Sequence, residues 1–400
     1  MDAIVERCAG LDVHLDTVVA CVLYGKLDIK PKKEVKTFST TTKGLLELLD
    51  FINQKECTHV AMESTGIYWK PVWNILESGA FELIVANAKK IKNVPGRKTD
   101  VKDAEWIASL LRCGLIEKSF VPPERIRDLR DLTRLRKELL GEVNRNKNRI
   151  HKVLQDANIK ISSVLSDVFG ETGKSILNQI IGNQCITEEF IYSMYEALNG
   201  KIRGHHVILL GMHNSNIVFL EKQINELEKE IDILLQKERD SLELLETIPG
   251  ISKISASSII AEIGTSMDVF KTEKHISSWA GLCPKNNESA GKKKRSGIKS
   301  GNNWLRSMLC ECAWSATKKK DSRFKNKYWS MVPRMGRKKA LIAIANMMLR
   351  LIYHLLKTKS TYKELEIQYF IDKDKRREDR IIKELKSKGY LVEKDSLQMA

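Results

Sequence analysis

The chain has 400 residues, of which 42% are apolar and 30% are charged, which is enough for two or three domains with ordinary hydrophobic cores. Its net charge of +17 is concentrated in residues 285–357, which contain 19 Lys and Arg against 3 Asp and Glu. This concentration predicts a polyanionic partner, either DNA, RNA or an anionic membrane.

A membrane-spanning segment is not expected, because no apolar run reaches the ~18 residues that a spanning helix needs. The nearest approach, residues 340–356, carries Asn346, Arg350 and His354 at four-residue spacing, which predicts a polar stripe on an amphipathic helix. The N-terminal residues lack the pattern of a secretory signal. The eight cysteines form no CxxC pair, so we expect reduced thiols and a cytoplasmic protein.

Residues 1–120 alternate between strand and helix patterns and are predicted to form an α/β layer fold. The predicted strands are a hairpin-like pair at 9–25, then 34–41, 58–65 and 81–87. The predicted helices are 43–54, 68–78 and 99–114, the last beginning at an N-cap threonine and ending at a glycine.

The remainder is predicted to be mainly helical, with a boundary at the Pro122-Pro123 pair. A long basic helix is expected from residue 124 to 155. Heptad-like apolar spacing over 217–235 predicts a helical hairpin or a dimer coiled coil. The expected regions are 1–120, a helical and coiled-coil region 121–240, a C-terminal domain 241–357 and a charged tail 358–400.

Residues 244–264 follow the order helix, Pro-Gly turn, helix, and resemble the helix-hairpin-helix, a sequence-independent grip on the DNA backbone. Gly250 lies in this turn, which would present backbone N–H groups to a phosphate. An ordinary turn between two helices is an equally good interpretation of the pattern alone.

Four carboxylates of the first region can converge at one edge of the predicted sheet. Asp12 lies inside the first strand, Glu63 near the end of a later strand, and Asp100 and Asp103 in the first turn of the last helix. Each residue alone is as well explained by a turn, a helix cap or an ion pair. Together they would hold two divalent cations, and oxygen-only ligands favour Mg²⁺ or Mn²⁺.

Residues 285–306 form a glycine-containing basic loop in which Ser289 precedes the first glycine. Such a loop suits phosphate, and its serine either donates a hydrogen bond or reacts as a nucleophile. The candidate nucleic-acid-binding residues of this segment are Lys292, Lys293, Lys294, Arg295, Lys299 and Arg306.

The motifs GLDVHLDTVVACV, AMESTGIYWKPV, GRKTDVKDAEWIASLL and IPGISKISASSIIAEIG, with the basic loop, resemble the insertion-sequence 110 family of DEDD transposases, relatives of Piv-type invertases. The resemblance covers residues of about 7–155 and 215–355. It implies an RNase H-like N-terminal domain similar to that of the RuvC resolvase, with the four acids at Asp12, Glu63, Asp100 and Asp103. It also implies a C-terminal transposase domain whose serine nucleophile falls on Ser289.

The resemblance further implies a prokaryotic, nucleoid-associated enzyme that recombines donor and target DNA. It implies a structured noncoding RNA from the element as guide, and a dimer or tetramer. Two alternatives remain open. One is a metal-dependent, resolvase-like nuclease that uses water as nucleophile; the other is a non-catalytic RNA-binding scaffold, against which the four ordered acids argue.

Overall fold

The computed structural model divides the chain into two compact units, Met1–Glu124 and Arg125–Ala400. It describes residues 3–64, 66–88, 91, 103–182, 197–284, 288–289, 292–293, 297–320, 322–364 and 378–391. The predicted regions 121–240, 241–357 and 358–400 fall almost entirely within the second unit, since its first residue is Arg125.

The first unit contains the predicted strands and helices in the predicted order. They are β1 (Arg7–Val13), β2 (Thr17–Tyr24), β3 (Lys32–Ser39), α1 (Thr42–Gln54), β4 (His59–Glu63), α2 (Trp69–Leu76), β5 (Glu82–Ala86) and α3 (Asp103–Arg112). Thr99, the predicted N-cap of the last helix, lies outside the described residues. This mixed α/β arrangement is compatible with an RNase H-like domain.

The strands form one sheet in the order β3-β2-β1-β4-β5. Strands β1, β2 and β3 are antiparallel hairpins, whereas β1, β4 and β5 run parallel. Because side chains alternate between the faces of a sheet, Leu11 and Met62 pack with α1 and α2 on one face. Cys8 and Ala61 pack with α3 on the other. The central strands are therefore buried on both faces.

The second unit is mainly helical. Its helices are α4 (Glu124–Asp156), α5 (Ile161–Val164), α6 (Glu171–Ile181), α7 (Gly204–Leu234), α8 (Arg239–Glu246), α9 (Lys253–Ile263), α10 (Glu273–Trp279), α11 (Asn303–Ala316), α12 (Arg323–Met335) and α13 (Arg337–Thr358). Two short strands, β6 (Glu288–Ser289) and β7 (Lys292–Lys293), pair antiparallel between α10 and α11.

The apolar seam of α7 packs inside the chain. Ile217, Leu220 and Ile224 share one buried cluster with Val143 and Ile150 of α4. Helix α6 contributes to the same cluster, so part of the stretch 156–204, which the family resemblance does not cover, belongs to a core. Ile217, Leu220 and Ile224, the first part of the predicted seam, therefore pack against α4 within the chain.

Helix α13 is long and apolar enough to cross a membrane by length and composition, and half of its most apolar window is buried within the chain. Its predicted polar stripe faces specific partners. Asn346 donates to the backbone carbonyl of Leu282 at 3.3 Å, and Arg350 and His354 both contact the carboxylate of Glu273. These contacts are those of a core helix of the second unit.

Candidate functional site

Asp12 and Glu63 lie side by side at one edge of the sheet. Leu11 pairs with Met62 in the parallel ladder of β1 and β4, and Asp12 and Glu63 are the next residues along their strands. Residues adjacent in a parallel ladder point to the same face, and here that face is the one covered by α3, because Cys8 and Ala61 also point to it.

Helix α3 contacts this face at very short range because β1 has a glycine there. A Cβ on Gly10 would stand 2.3 Å from the backbone nitrogen of Ala108 and 2.4 Å from the carbonyl oxygen of Ala104. A glycine inside a strand often marks such a close approach of another backbone. Asp103, the first described residue of α3, is thereby held near the same sheet edge as Asp12.

Asp12 lies close enough to the other two acids for their charges to act on its carboxyl group. Burial raises the pKa of Asp12, and the negative charges of Asp103 and Glu63 raise it further. His14 opposes both effects, because its Nε2 lies 3.2 Å from an Asp12 carboxylate oxygen. The Asp12 side chain is 25% exposed, so the group is partly withdrawn from water and surrounded by like charge.

The three carboxylates supply the oxygen ligands that the predicted cation site requires. Oxygen ligands that repel one another at a partly buried edge are stabilised by a divalent cation. The fourth predicted ligand, Asp100, lies outside the described residues. Of the four acids, the structure therefore brings together Asp12, Glu63 and Asp103.

A second group with ligand-type atoms lies in the other unit. Atoms of Asp156, His205 and His206 lie within 4.8 Å of one another. His206 Nδ1 accepts the backbone N–H of Arg203 at 3.2 Å, so its Nε2 carries the proton that is donated to Asp156 at 2.7 Å. The Arg203 guanidinium lies 3.2 Å from the same Asp156 oxygen. We interpret this group as a hydrogen-bonded cap at the start of α7, because a cation would have to replace that proton beside a fixed positive charge.

The segment around Ser289 is paired as a short ribbon, whereas the sequence suggests only a loop. Ser289 stands opposite Lys292, and Glu288 opposite Lys293. A bridge between Pro284 and Ile298 closes the base of this basic hairpin. The side chains of 285–296 lie outside the described set, and so do Lys294 and Arg295 altogether.

The remaining predicted nucleic-acid residues have described surroundings. Lys299 is exposed, and its Nζ lies 3.4 Å from Ser278 Oγ. Arg306 is half-buried and contacts the side chain of Asn303. Gly250 has φ +86°, and a Cβ there would lie 2.4 Å from the carbonyl oxygen of Cys312. The turn between α8 and α9 is therefore pressed against α11.

A buried carboxylate that the sequence does not single out anchors the base of the hairpin. Glu262 is 3% exposed and receives two bonds from Arg134, at 2.7 and 2.9 Å. Asn302, which caps α11, donates to it at 2.5 Å. Arg130 lies alongside at 3.5 Å, and burial lowers its pKa to about 10. In the sequence, this buried carboxylate is indicated only by the presence of one acid in a mainly apolar helix.

Comparison with known families gives two matches. Residues 9–159 match the DEDD transposase model of insertion sequence 110, described as "Transposase". Residues 242–329 match a second model, described as "Transposase IS116/IS110/IS902 family". The first match contains the acids of the sheet edge. The second contains most of α8, the Pro-Gly turn, α9 and the basic hairpin.

Among curated proteins, the chain is similar to the transposase for insertion sequence element IS1111A of Coxiella burnetii. The two are 22% identical over 68% of this chain and 70% of the relative. It is also similar to the transposase for insertion sequence element IS1533 of Leptospira borgpetersenii, at 23% identity over 64% of this chain and 68% of the relative. A probable family 20 transposase of Pseudomonas aeruginosa is 28% identical over 36% of this chain and 43% of the relative.

Proposed function

Because the chain belongs to the insertion-sequence 110 family of transposases, we propose that it recombines DNA through a covalent serine–DNA intermediate, with Ser289 as nucleophile. The observation that supports this most is the pairing of Ser289 with Lys292 in a basic hairpin. A hydroxyl in a lysine-rich segment is suited to a phosphodiester, whose charge lysines would neutralise.

The acids at the sheet edge are proposed to hold two divalent cations, Mg²⁺ or Mn²⁺. Asp12, Glu63 and Asp103 would be ligands, with Asp100 as the fourth. Bound cations polarise the phosphate and stabilise the leaving oxygen in phosphoryl transfer. The acids belong to the first unit and Ser289 to the second.

The proposed step conserves the energy of the phosphodiester bond, because each bond to phosphorus that breaks is replaced by a new one. Ser289 Oγ loses its proton and forms a bond to phosphorus, while the bond from phosphorus to one deoxyribose oxygen breaks. That oxygen takes up a proton, which offsets the one lost by the serine, and leaves as a free hydroxyl. A hydroxyl of the partner strand later attacks the phosphoserine and releases Ser289, so the strands are rejoined without an external energy source. Throughout, Lys292 and Lys293 would neutralise the phosphate.

Donor and target DNA are proposed to be selected by a structured noncoding RNA, which the basic segment 285–357 is suited to bind. We propose a homo-oligomer, a dimer or tetramer, as the active species. The turn between α8 and α9 is proposed to act as a helix-hairpin-helix on the DNA backbone. The relatives are bacterial, and the compartment we propose is the cytoplasm, in association with the nucleoid.

The test is Ser289→Ala, with Ser300→Ala as the matched control in the same segment. End-labelled donor and target DNA are incubated with each protein, Mg²⁺ and the RNA transcribed from the element's flank, then run on a denaturing gel. Wild type and Ser300→Ala should give a protein-linked DNA band. Ser289→Ala should bind DNA normally and give neither the linked band nor recombinant product.

Other outcomes identify the alternatives. A linked band in Ser289→Ala would move the nucleophile to another residue. Free cleaved DNA without a linked band, in wild type as well, would favour the hydrolytic nuclease. Salt-sensitive RNA binding without any metal-dependent reaction would favour the scaffold.

A further inference from the structure

Two half-exposed tryptophans of the second unit both contact one buried tyrosine. Trp314 of α11 is 47% exposed and Trp329 of α12 is 52% exposed, whereas Tyr328 is 2% exposed. The ring of Tyr328 lies edge-on to both, with centroids 6.3 Å from Trp314 and 5.3 Å from Trp329. Both indoles therefore pack on the Tyr328 ring, and their centroids are at most 11.6 Å apart, the sum of the 6.3 and 5.3 Å distances.

Exposure of both indoles is unusual for a surface without a partner. Tryptophan is strongly buried on average, and grouped exposed aromatic rings mark interaction sites. Neighbouring positions of the same helix, such as Ala313 and Ala316, are fully buried. Helix α11 therefore buries small residues in this part of the core and leaves the Trp314 indole half exposed.

Lysines near the two indoles indicate an anionic partner. Lys318 Nζ lies 5.5 Å from the centroid of the Trp314 ring, and Lys319 and Lys320 are exposed beside it. Lys325 lies one helical turn before Trp329, on the same side of α12. Lysine is depleted at the cores of protein–protein interfaces, so a protein partner fits this surface poorly.

We propose that Trp314 and Trp329 form a stacking platform for unpaired bases of a nucleic-acid strand, with Lys318 and its neighbours on the phosphates. The inference rests on the proposed nucleic-acid function and adds a preference for single-stranded segments. Every base has a π face on which an indole can stack. In a duplex those faces already stack on each other, so the platform discriminates single strands from duplex.

The experiment uses the full chain and three fluorescently labelled probes of equal length: oligo(dT), oligo(U) and a mixed-sequence DNA duplex. Trp314→Ala/Trp329→Ala should lower the affinity for a single strand about tenfold or more and leave duplex affinity unchanged. Phe219→Ala, which removes a 59% exposed aromatic ring of α7, is the matched control and should change neither.

A second measurement does not depend on truncation. Trp314→Phe/Trp329→Phe should retain most of the single-strand affinity, because a phenyl ring still stacks. It should lose most of the tryptophan quenching that oligo(dT) or oligo(U) causes in wild type. Comparison of the two oligonucleotides identifies DNA or RNA as the preferred strand.

Three results would contradict either the stacking platform or the proposed nucleic-acid function on which it rests. Equal single-strand affinities for wild type and the alanine variant would refute the platform while leaving the proposed recombination intact. A changed oligomeric state of that variant, with nucleic-acid affinities unaltered, would reassign the surface to a protein contact. Failure of wild type to bind any probe would refute the proposed function itself.

Discussion

Asp12 is the residue of the sheet edge with the clearest electrostatic strain. Its carboxylate is partly buried and lies near the charges of Glu63 and Asp103, and its pKa is raised above the ordinary 3.8. An acid whose folded-state pKa is raised destabilises the fold when it is ionised, and this effect disappears as pH falls and the group protonates. The destabilisation should therefore be present at neutral pH without metal.

Asp12→Asn should raise the melting temperature in metal-free buffer at pH 7 by a few degrees, because a change of ~1 kcal/mol shifts the melting temperature of a domain by about 2–8 °C, depending on its size. The gain in melting temperature should shrink toward acidic pH.

Mg²⁺ or Mn²⁺ should stabilise wild type more than the Asp12→Asn variant. The variant should lose recombination and keep DNA binding. Calorimetry with Asp16→Asn, an exposed turn residue, as the control checks this. A variant with wild-type metal response would remove Asp12 from the cation site.

Helix α3 brings Asp103 to the sheet only because β1 allows the two backbones to touch at Gly10. The atoms that a Cβ would meet are backbone atoms of Ala104 and Ala108, which cannot rotate away as a side chain would. Any side chain at this position must push the helix off the sheet and move its first residue from the acids.

Gly10→Ala should destabilise the protein by about 1–3 kcal/mol or more, as overpacking does, and should reduce recombination through displacement of Asp103. Gly141→Ala is the matched control. It lies inside α4 with open space around its Cβ position, where the nearest atom is the Arg145 guanidinium at 3.5 Å. That change should stabilise by about 0.5–1 kcal/mol. Urea unfolding measures the change in the free energy of unfolding for both variants. If Gly10→Ala changed it no more than Gly141→Ala does, the close-packing argument would be wrong.

Across the second unit, the Glu262 network joins α4, α9 and the start of α11. The buried carboxylate pairs with the partly buried Arg134 and holds Asn302, which follows the basic hairpin in the chain. Contact between Gly281 and Gly301 also holds the base of the hairpin, since a Cβ on Gly301 would lie 2.3 Å from Gly281 N.

Glu262→Gln should lower the free energy of unfolding by about 3–5 kcal/mol, because it removes the buried negative charge that pairs with the partly buried guanidinium groups of Arg130 and Arg134. Glu311→Gln is the comparison. Its carboxylate is 63% exposed and pairs with Lys137 at 3.3 Å, so its loss should change stability by less than about 1 kcal/mol. Denaturant titration of the two variants tests the difference, and similar small effects would show that the buried network is dispensable.

The uneven charge of the whole chain predicts where nucleic acid binds. The logarithm of the binding constant should fall linearly with the logarithm of salt concentration, by about 0.9 for each neutralised duplex phosphate. Alanine at Lys292, Lys293 and Lys294 should flatten that slope. Alanine at Lys26, Lys30 and Lys32, exposed residues of the nearly neutral first region, should not. Fluorescence anisotropy at several salt concentrations measures the slope, and an unchanged slope in the first variant would mean that the hairpin does not contact the backbone.

Local patterns in the chain were sufficient to predict the strands and helices of the first unit, the long helices α4 and α7 and the basic segment. Those features depend on periodicity, caps and charge within a short stretch, which a sequence displays directly. The order of the four acids was likewise visible, and the family match supports the transposase assignment.

Tertiary structure alone decided which of these features meet. The register of β1 with β4 sets Asp12 beside Glu63, and the contact at Gly10 brings Asp103 to them. Two other groups join residues from separate helices. One is the Glu262 network, and the other is the contact of Trp314 and Trp329 with the Tyr328 ring. Strand register and helix docking depend on packing between segments far apart in the chain, and no local pattern encodes that packing.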